Sequence, residues 1–227
     1  SRRTVRWDVG MLQADALAVD QSATLDALQQ LDINLPMLLQ KEVDWIRSQD
    51  SEVLVVGDMP PAAADLAQQL DAPLVWMGNF GWDEIYAPLG GAFRPWADKA
   101  TAAYRRGLLL LRCPFSLPMP WSLPEQALQL VAADPEPVPW DLEERLRGDC
   151  RQKVLVGFGG LGYSLDPDLF NEWPQNLFLM AAPMDSRQQE QLAEMGNVVL
   201  LPTGLRPLDL MPFCDRLLGK PGFSSFC

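Results

Sequence analysis

The sequence predicts an α/β protein made of two Rossmann-like domains, each with a parallel sheet. Three observations carry this. Short, wholly apolar runs recur along the chain, as strands buried on both faces do. They alternate with stretches of helical periodicity, the pattern of β/α layering. The alternation occurs twice, on either side of residues 113–139, which hold 7 of the 20 prolines.

The elements follow in order. Residues 4–9 alternate polar and apolar, which predicts a strand with one wet face. Residues 22–48 carry leucines at helical spacing, with Ser22 as N-cap and Pro36 expected to break or restart the helix. Val53, Leu54, Val55 and Val56 form a buried strand, and Gly57, Asp58, Met59, Pro60 and Pro61 a turn. Residues 62–70 are helix, 74–77 strand, 79–95 an aromatic loop, 96–106 helix and 108–111 strand. Residues 113–139 read as a stiff connection with one helical turn at 126–131. The alternation then restarts. Helices are expected at 142–147, 186–195 and 207–213, and strands at 154–156, 177–180, 198–201 and 216–218. The predicted domains are residues 1–112 and 140–227, joined by 113–139.

Composition narrows the function. The 227 residues include 18 Lys and Arg against 30 Asp and Glu, for a net charge of −12. Such a surface repels phosphate backbones, so a nucleic-acid partner is not expected. There is no histidine, which excludes a His-based triad or metal site within these residues. Cys113, Cys150, Cys214 and Cys227 form no C-x-x-C pair, so free thiols in the cytoplasm are expected. No apolar run is long enough to span a membrane. Carboxylates alone remain as metal ligands, and none shows a D-x-D spacing at a strand end, so no metal is expected.

Three places carry chemistry. Gly157, Gly159 and Gly162 satisfy G-x-G-x-x-G after a strand, with Gly160 between them and Asp185 near the spacing of a ribose-binding acid. That pattern reads as phosphate approaching bare backbone, or as a tight turn needing glycine. Gly219, Lys220, Gly222, Ser224 and Ser225 follow a later strand. They read as a pyrophosphate cradle or as a capped helix start, and they are not a Walker A loop. Asp58, Asn79, Trp82, Asp83, Glu84 and Tyr86 follow strand ends, where open α/β sheets bind ligands. Trp82 and Tyr86 could stack on a sugar, or plug a loop.

The segment Gly78-Asn79-Phe80-Gly81-Trp82-Asp83-Glu84-Ile85-Tyr86 resembles the glycosyltransferase-like N-terminal half of plant L-arabinokinases and related stand-alone proteins. So do residues 13–20, Gly57-Asp58-Met59-Pro60, Cys113-Pro114-Phe115 with Met119-Pro120, Phe158-Gly159-Gly160 and Leu218-Gly219-Lys220-Pro221-Gly222-Phe223. The wider pattern is similar to metal-independent glycosyltransferases of the GT-B fold, including those that build peptidoglycan precursors. The resemblance implies donor contacts at Gly159, Gly160, Gly162, Gly219, Lys220, Gly222, Ser224 and Ser225. It implies acceptor contacts at Asp58, Asn79, Trp82 and Asp83, with a nucleotide-diphosphate sugar as substrate and no cofactor. The family pattern starts with a strand and a Gly/His loop and continues to an acidic residue past Ser225. The chain is therefore expected to be a fragment lacking both ends, with both GT-B-like domains incomplete and no sugar transfer of its own, and kinase activity is not carried over.

Three functions follow. The first is sugar transfer from a nucleotide diphosphate to an acceptor hydroxyl without metal. The second is a non-catalytic nucleotide-sugar-binding or regulatory module. The third is an NAD-dependent oxidoreductase using the first glycine loop.

Overall fold

The computed structural model of the protein describes residues 2–14, 18–157, 166–181, 186–220 and 222. The chain divides into two compact units, one of Ser1–Leu12 and Val19–Leu130, the other of Gln13–Ala18 and Val131–Cys227. Each contains a four-stranded, fully parallel sheet.

In the first unit the helix α1 runs Gln21–Arg47. Asp20, not Ser22, is its N-cap, because its extended backbone lets the carboxylate accept from Ala23 N–H at 2.9 Å. Pro36 does not break the helix. It lies on the solvent side, where water can satisfy the Asp32 carbonyl it orphans. Leu28, Leu35, Leu39 and Val43 are buried on both sides of it and hold the helix down.

The strands β1 (Val55–Gly57), β2 (Leu74–Gly78), β3 (Leu109–Arg112) and β4 (Glu125–Ala127) lie side by side in chain order. Helix α2 (Ala62–Leu70) joins β1 to β2. The expected aromatic loop contains helix α3 (Trp82–Tyr86) and two 3-10 turns, and leads into α4 (Arg94–Tyr104). The predicted helical turn at 126–131 is instead strand β4, whose backbone pairs with β3. Arg112 fixes this stretch. Its guanidinium binds Glu125 at 2.7 Å and donates to Ser116 and to the Leu117 and Pro118 carbonyls. Met119 and Trp121 from the same stretch are buried in the core with Trp76 and Tyr104. The Tyr104 ring stacks on Trp121 at 4.2 Å and meets Trp76 edge-on at 5.1 Å.

The strand expected at residues 4–9 does not form. Side chains anchor this segment rather than a backbone ladder. Arg3 pairs with buried Glu42 of α1 at 2.6 Å, and Trp82 Nε1 donates to Asp8 at 3.1 Å.

The second unit contains α5 (Trp140–Gly148), β5 (Gln152–Gly157), α6 (Asp168–Asn171), β6 (Asn176–Ala181), α7 (Ser186–Ala193), β7 (Val198–Leu201), α8 (Pro207–Leu210) with a 3-10 turn, and β8 (Arg216–Gly219). The sheet order is β7-β6-β5-β8. Alternate residues build two cores, one per face. Leu155, Leu177 and Leu179 pack with Leu142, Leu146 and Leu210. Val154, Val156, Phe178 and Met180 pack with Phe170 and Leu192. Both faces are covered over β5, β6 and β7, which is why these strands read as continuous apolar runs, whereas Arg216, Leu217 and Leu218 of β8 are exposed.

Candidate functional site

In the second unit the strand order turns back at β5. Strands β6 and β7 follow outward on one side of it, and β8 returns on the other. Open α/β sheets bind ligands outside the carboxyl ends at such a reversal. The two residues that end these neighbouring strands, Gly157 and Gly219, are register partners. A methyl group on Gly219 would run into the Gly157 carbonyl oxygen, so the close approach of the strands requires glycine there. Just past it, Gly222 N–H donates to the Lys220 carbonyl at 2.8 Å and turns the backbone. Lys220 is half-buried, and among the described residues its ammonium has no carboxylate partner. Gly159, Gly160, Gly162, Ser224 and Ser225 lie outside the described residues, as does Asp185.

In the first unit, Asp58 is exposed one residue beyond β1. The next residue, Met59, is buried with φ +65°, a conformation that costs about 1–3 kcal/mol outside glycine and needs support. The support is the Tyr104 hydroxyl. It donates to the Met59 carbonyl at 2.8 Å and accepts from Trp82 N–H at 3.1 Å, pinning the turns after β1 and β2 to each other. Asn79 directly follows β2, and its carbonyl accepts from Leu117 N–H at 2.8 Å. Asp83 turns inward and is 6% exposed. One of its oxygens accepts from Trp121 Nε1 at 2.8 Å and from Thr101 at 3.0 Å, while the other has no hydrogen bond. Glu84 accepts from Met119 N–H at 3.0 Å.

Beside Trp82 the first unit holds a pocket of about 210 Å³, between the segment at Trp7–Val9 and helices α1, α2 and α4. Trp82 lines it; Asp58, Asn79 and Asp83 do not. Trp7, Tyr86 and Trp96 add aromatic walls, and Asp8 adds a carboxylate. Burial raises the Asp8 carboxyl above its ordinary range, and the Trp82 N–H partly opposes this. Burial also holds the Tyr86 and Tyr104 hydroxyls above theirs, so both stay neutral donors.

Among the described residues no three Cys, Asp or Glu side chains gather where they could hold a metal ion. No described helix is long and apolar enough to cross a membrane.

No protein-family model matches the chain. L-arabinokinase of Arabidopsis thaliana is 33% identical over 232 residues, covering 98% of this chain. The chain spans 22% of that protein's length. Among solved structures, MurG of Acinetobacter baumannii matches with a TM-score of 0.51 at 12% identity, over 86% of this chain and 54% of that one. The chain has a GT-B, glycosyltransferase-like fold.

Within that GT-B fold, Gly157 and Gly219 come together as neighbouring strand ends although 62 positions separate them. Local reading finds each loop, not their adjacency. Of the pocket lining it marks Trp82 and Tyr86, and Trp7, Asp8, Trp96 and Lys99 are among the residues it misses. Asp8 is one polar position of an alternating run, and Trp96 and Lys99 are positions on a helix. No local motif marks a pocket whose walls are joined only by tertiary contacts, such as the bond from Trp82 to Asp8.

Proposed function

We propose that the protein handles a nucleotide-diphosphate sugar in its second unit, as part of a metal-independent glycosyltransferase that passes the sugar to an acceptor hydroxyl. One observation carries the reading: the paired glycine ends of β5 and β8 at the reversal of strand order. Bare backbone there admits a diphosphate close to N–H donors, and Lys220 contributes the nearby full charge. As the sugar's anomeric bond to the diphosphate breaks, negative charge grows on the leaving oxygens. Lys220 offsets that charge. The cytoplasm is the compartment proposed, and it suits Cys150 and Cys214, which are free thiols.

The test is a titration of UDP-, GDP- and ADP-sugars and of NAD into the chain. Tighter binding of a nucleotide sugar than of NAD is expected, and tighter binding of NAD would overturn the reading. The runner-up is a non-catalytic nucleotide-sugar-binding module. It is favoured by the absence of any histidine to act as general base. Donor turnover by a full-length version, with L-arabinose, the sugar in the relative's name, or another sugar as acceptor, separates an enzyme from that module.

A further inference from the structure

The pocket in the first unit has an unusual lining. It lies between two apolar clusters that do not merge. One gathers Leu35, Leu39 and Ala62 with Trp7, the other Leu28, Tyr86 and Phe93 with Trp82 and Trp96. On α2 and α4 the lining residues include small ones, Ala62, Ala100 and Ala103, which leave the space unfilled. Two ion pairs, Asp32 with Lys99 and Asp65 with Arg106, also line it and are partly exposed, so they mark its mouth. Asp8 is different. Among the described residues the one hydrogen bond to its side chain comes from Trp82 Nε1, at 3.1 Å to Oδ2. Its other oxygen accepts no hydrogen bond from any described residue, and because Asp8 lines the pocket that oxygen is the one left for an occupant.

The chemistry of the occupant follows by elimination. An anion would meet three carboxylates, with both cations already paired. An ammonium group would suit Asp8 and the aromatic faces but, having no acceptor, would leave the remaining N–H donors of Lys99 and Arg106 at the mouth unused. A hydrocarbon would strip water from Asp8 and return no hydrogen bond, which is costly for a carboxylate. A neutral polyol ring meets every demand. Its C–H faces lie on aromatic rings, its hydroxyls donate to carboxylates, and its oxygens accept from Lys99 and Arg106. About 210 Å³ is smaller than the roughly 300–1,000 Å³ of drug-sized sites, which suits one ring.

We propose that this pocket binds a single sugar ring, with a ring hydroxyl donating to the open oxygen of Asp8 and the ring's C–H face against Trp96 or Trp7. The ring belongs to a free monosaccharide or to the end of a glycan. The proposal uses nothing in the second unit.

The experiment titrates D-glucose, D-galactose, L-arabinose and D-xylose into the 227-residue chain, without nucleotide. Binding is followed by tryptophan fluorescence and calorimetry. Methyl glycosides and short oligosaccharides of the same sugars form a second arm, and n-butylammonium a third. Saturable binding of at least one sugar is expected. Preference for the free sugar or for the glycoside identifies the source of the ring, and either supports the proposal.

Two variants locate the site. Asp8→Asn keeps an acceptor for Trp82 Nε1 and removes the charge, and should weaken binding about tenfold to a hundredfold. Ala102→Phe blocks the pocket from an exposed position on α4 and should abolish binding without unfolding the chain. Three results would overturn the proposal: no sugar binding, tighter binding of n-butylammonium, or sugar binding unchanged in both folded variants. Because no nucleotide is present, failure here leaves the donor reading standing, and failure of the donor titration leaves this one standing.

Discussion

Replacing Gly219 by alanine tests the strand-end geometry on which the donor reading depends. The added methyl group points at the Gly157 carbonyl oxygen of the facing strand. That atom belongs to backbone and cannot swing aside like a side chain. The ends of β5 and β8 must part, or the methyl must be absorbed by bending β8, which is only four residues long. Overpacking of this kind costs about 1–3 kcal/mol, and a lost ladder hydrogen bond falls within that range at about 1 kcal/mol. With a urea m-value of about 2 kcal/mol/M, the midpoint should fall by roughly 0.5–1.5 M. Gly148→Ala is the control. A Cβ there meets nothing within 4 Å, so the midpoint should stay or rise slightly, by up to about 1 kcal/mol of stability. The assay is urea unfolding followed by tryptophan fluorescence and far-UV circular dichroism. Equal midpoints for Gly219→Ala and Gly148→Ala would refute the close approach of the two strand ends.

Tyr104→Phe keeps the stacked ring but removes the hydroxyl between the Met59 carbonyl and Trp82 N–H. It should cost about 2–4 kcal/mol in chemical denaturation, and a loss under about 0.5 kcal/mol would remove this hydroxyl as the support of the strained turn. In the second unit, hydrogen bonds from Arg151 and Arg206 hold the Asp149 and Asp209 carboxyls down to about 2. A lowered folded-state value means stability that is present above the ordinary carboxylate pKa and lost as pH falls toward 2. The thermal midpoint should therefore drop between about pH 4 and pH 2, and less steeply in the double variant Asp149→Asn, Asp209→Asn; an identical slope would contradict this. Donor binding should survive excess chelator, and collapse on chelation would contradict the metal-independent reading.

Much of the fold was legible because burial on both sheet faces leaves a plain mark. Leu177, Phe178, Leu179 and Met180 feed two different cores, so none could be polar and the run stood out. The strand at Glu125–Ala127 left no such mark. All three residues are exposed, and what defines it is backbone pairing to β3 and the grip of Arg112 on Glu125. Residues 4–9 failed in the opposite sense. They alternate as a strand does, yet Asp8, and Arg3 just before the segment, are taken up by side-chain bonds to Trp82 and Glu42. Pro36 misled because a proline facing water, off the leucine side of the helix, leaves the Asp32 carbonyl to solvent and need not break it. Of the candidate site, each glycine loop was visible alone. That Gly157 and Gly219 are neighbours depends on β8 returning beside β5, a matter of topology that local spacing does not encode. The pocket at Asp8 was invisible for the same reason.

The central claim, a diphosphate held where β5 and β8 end, is tested most directly at Gly222. Its N–H turns back to Lys220 just past the strand, where a ligand must approach bare backbone. The measurement is calorimetric titration of UDP, GDP and their sugars into wild type, Gly222→Asp, Lys220→Ala and the surface control Glu143→Ala. An aspartate there adds bulk and negative charge facing the phosphates. Losing one charge-assisted hydrogen bond alone, about 1.5–3 kcal/mol, weakens binding by roughly tenfold to a hundredfold or more. Lys220→Ala should weaken it less, since a partly exposed lysine is screened by solvent and salt, and Glu143→Ala should leave it unchanged. Wild-type affinity in a folded Gly222→Asp variant would contradict the account.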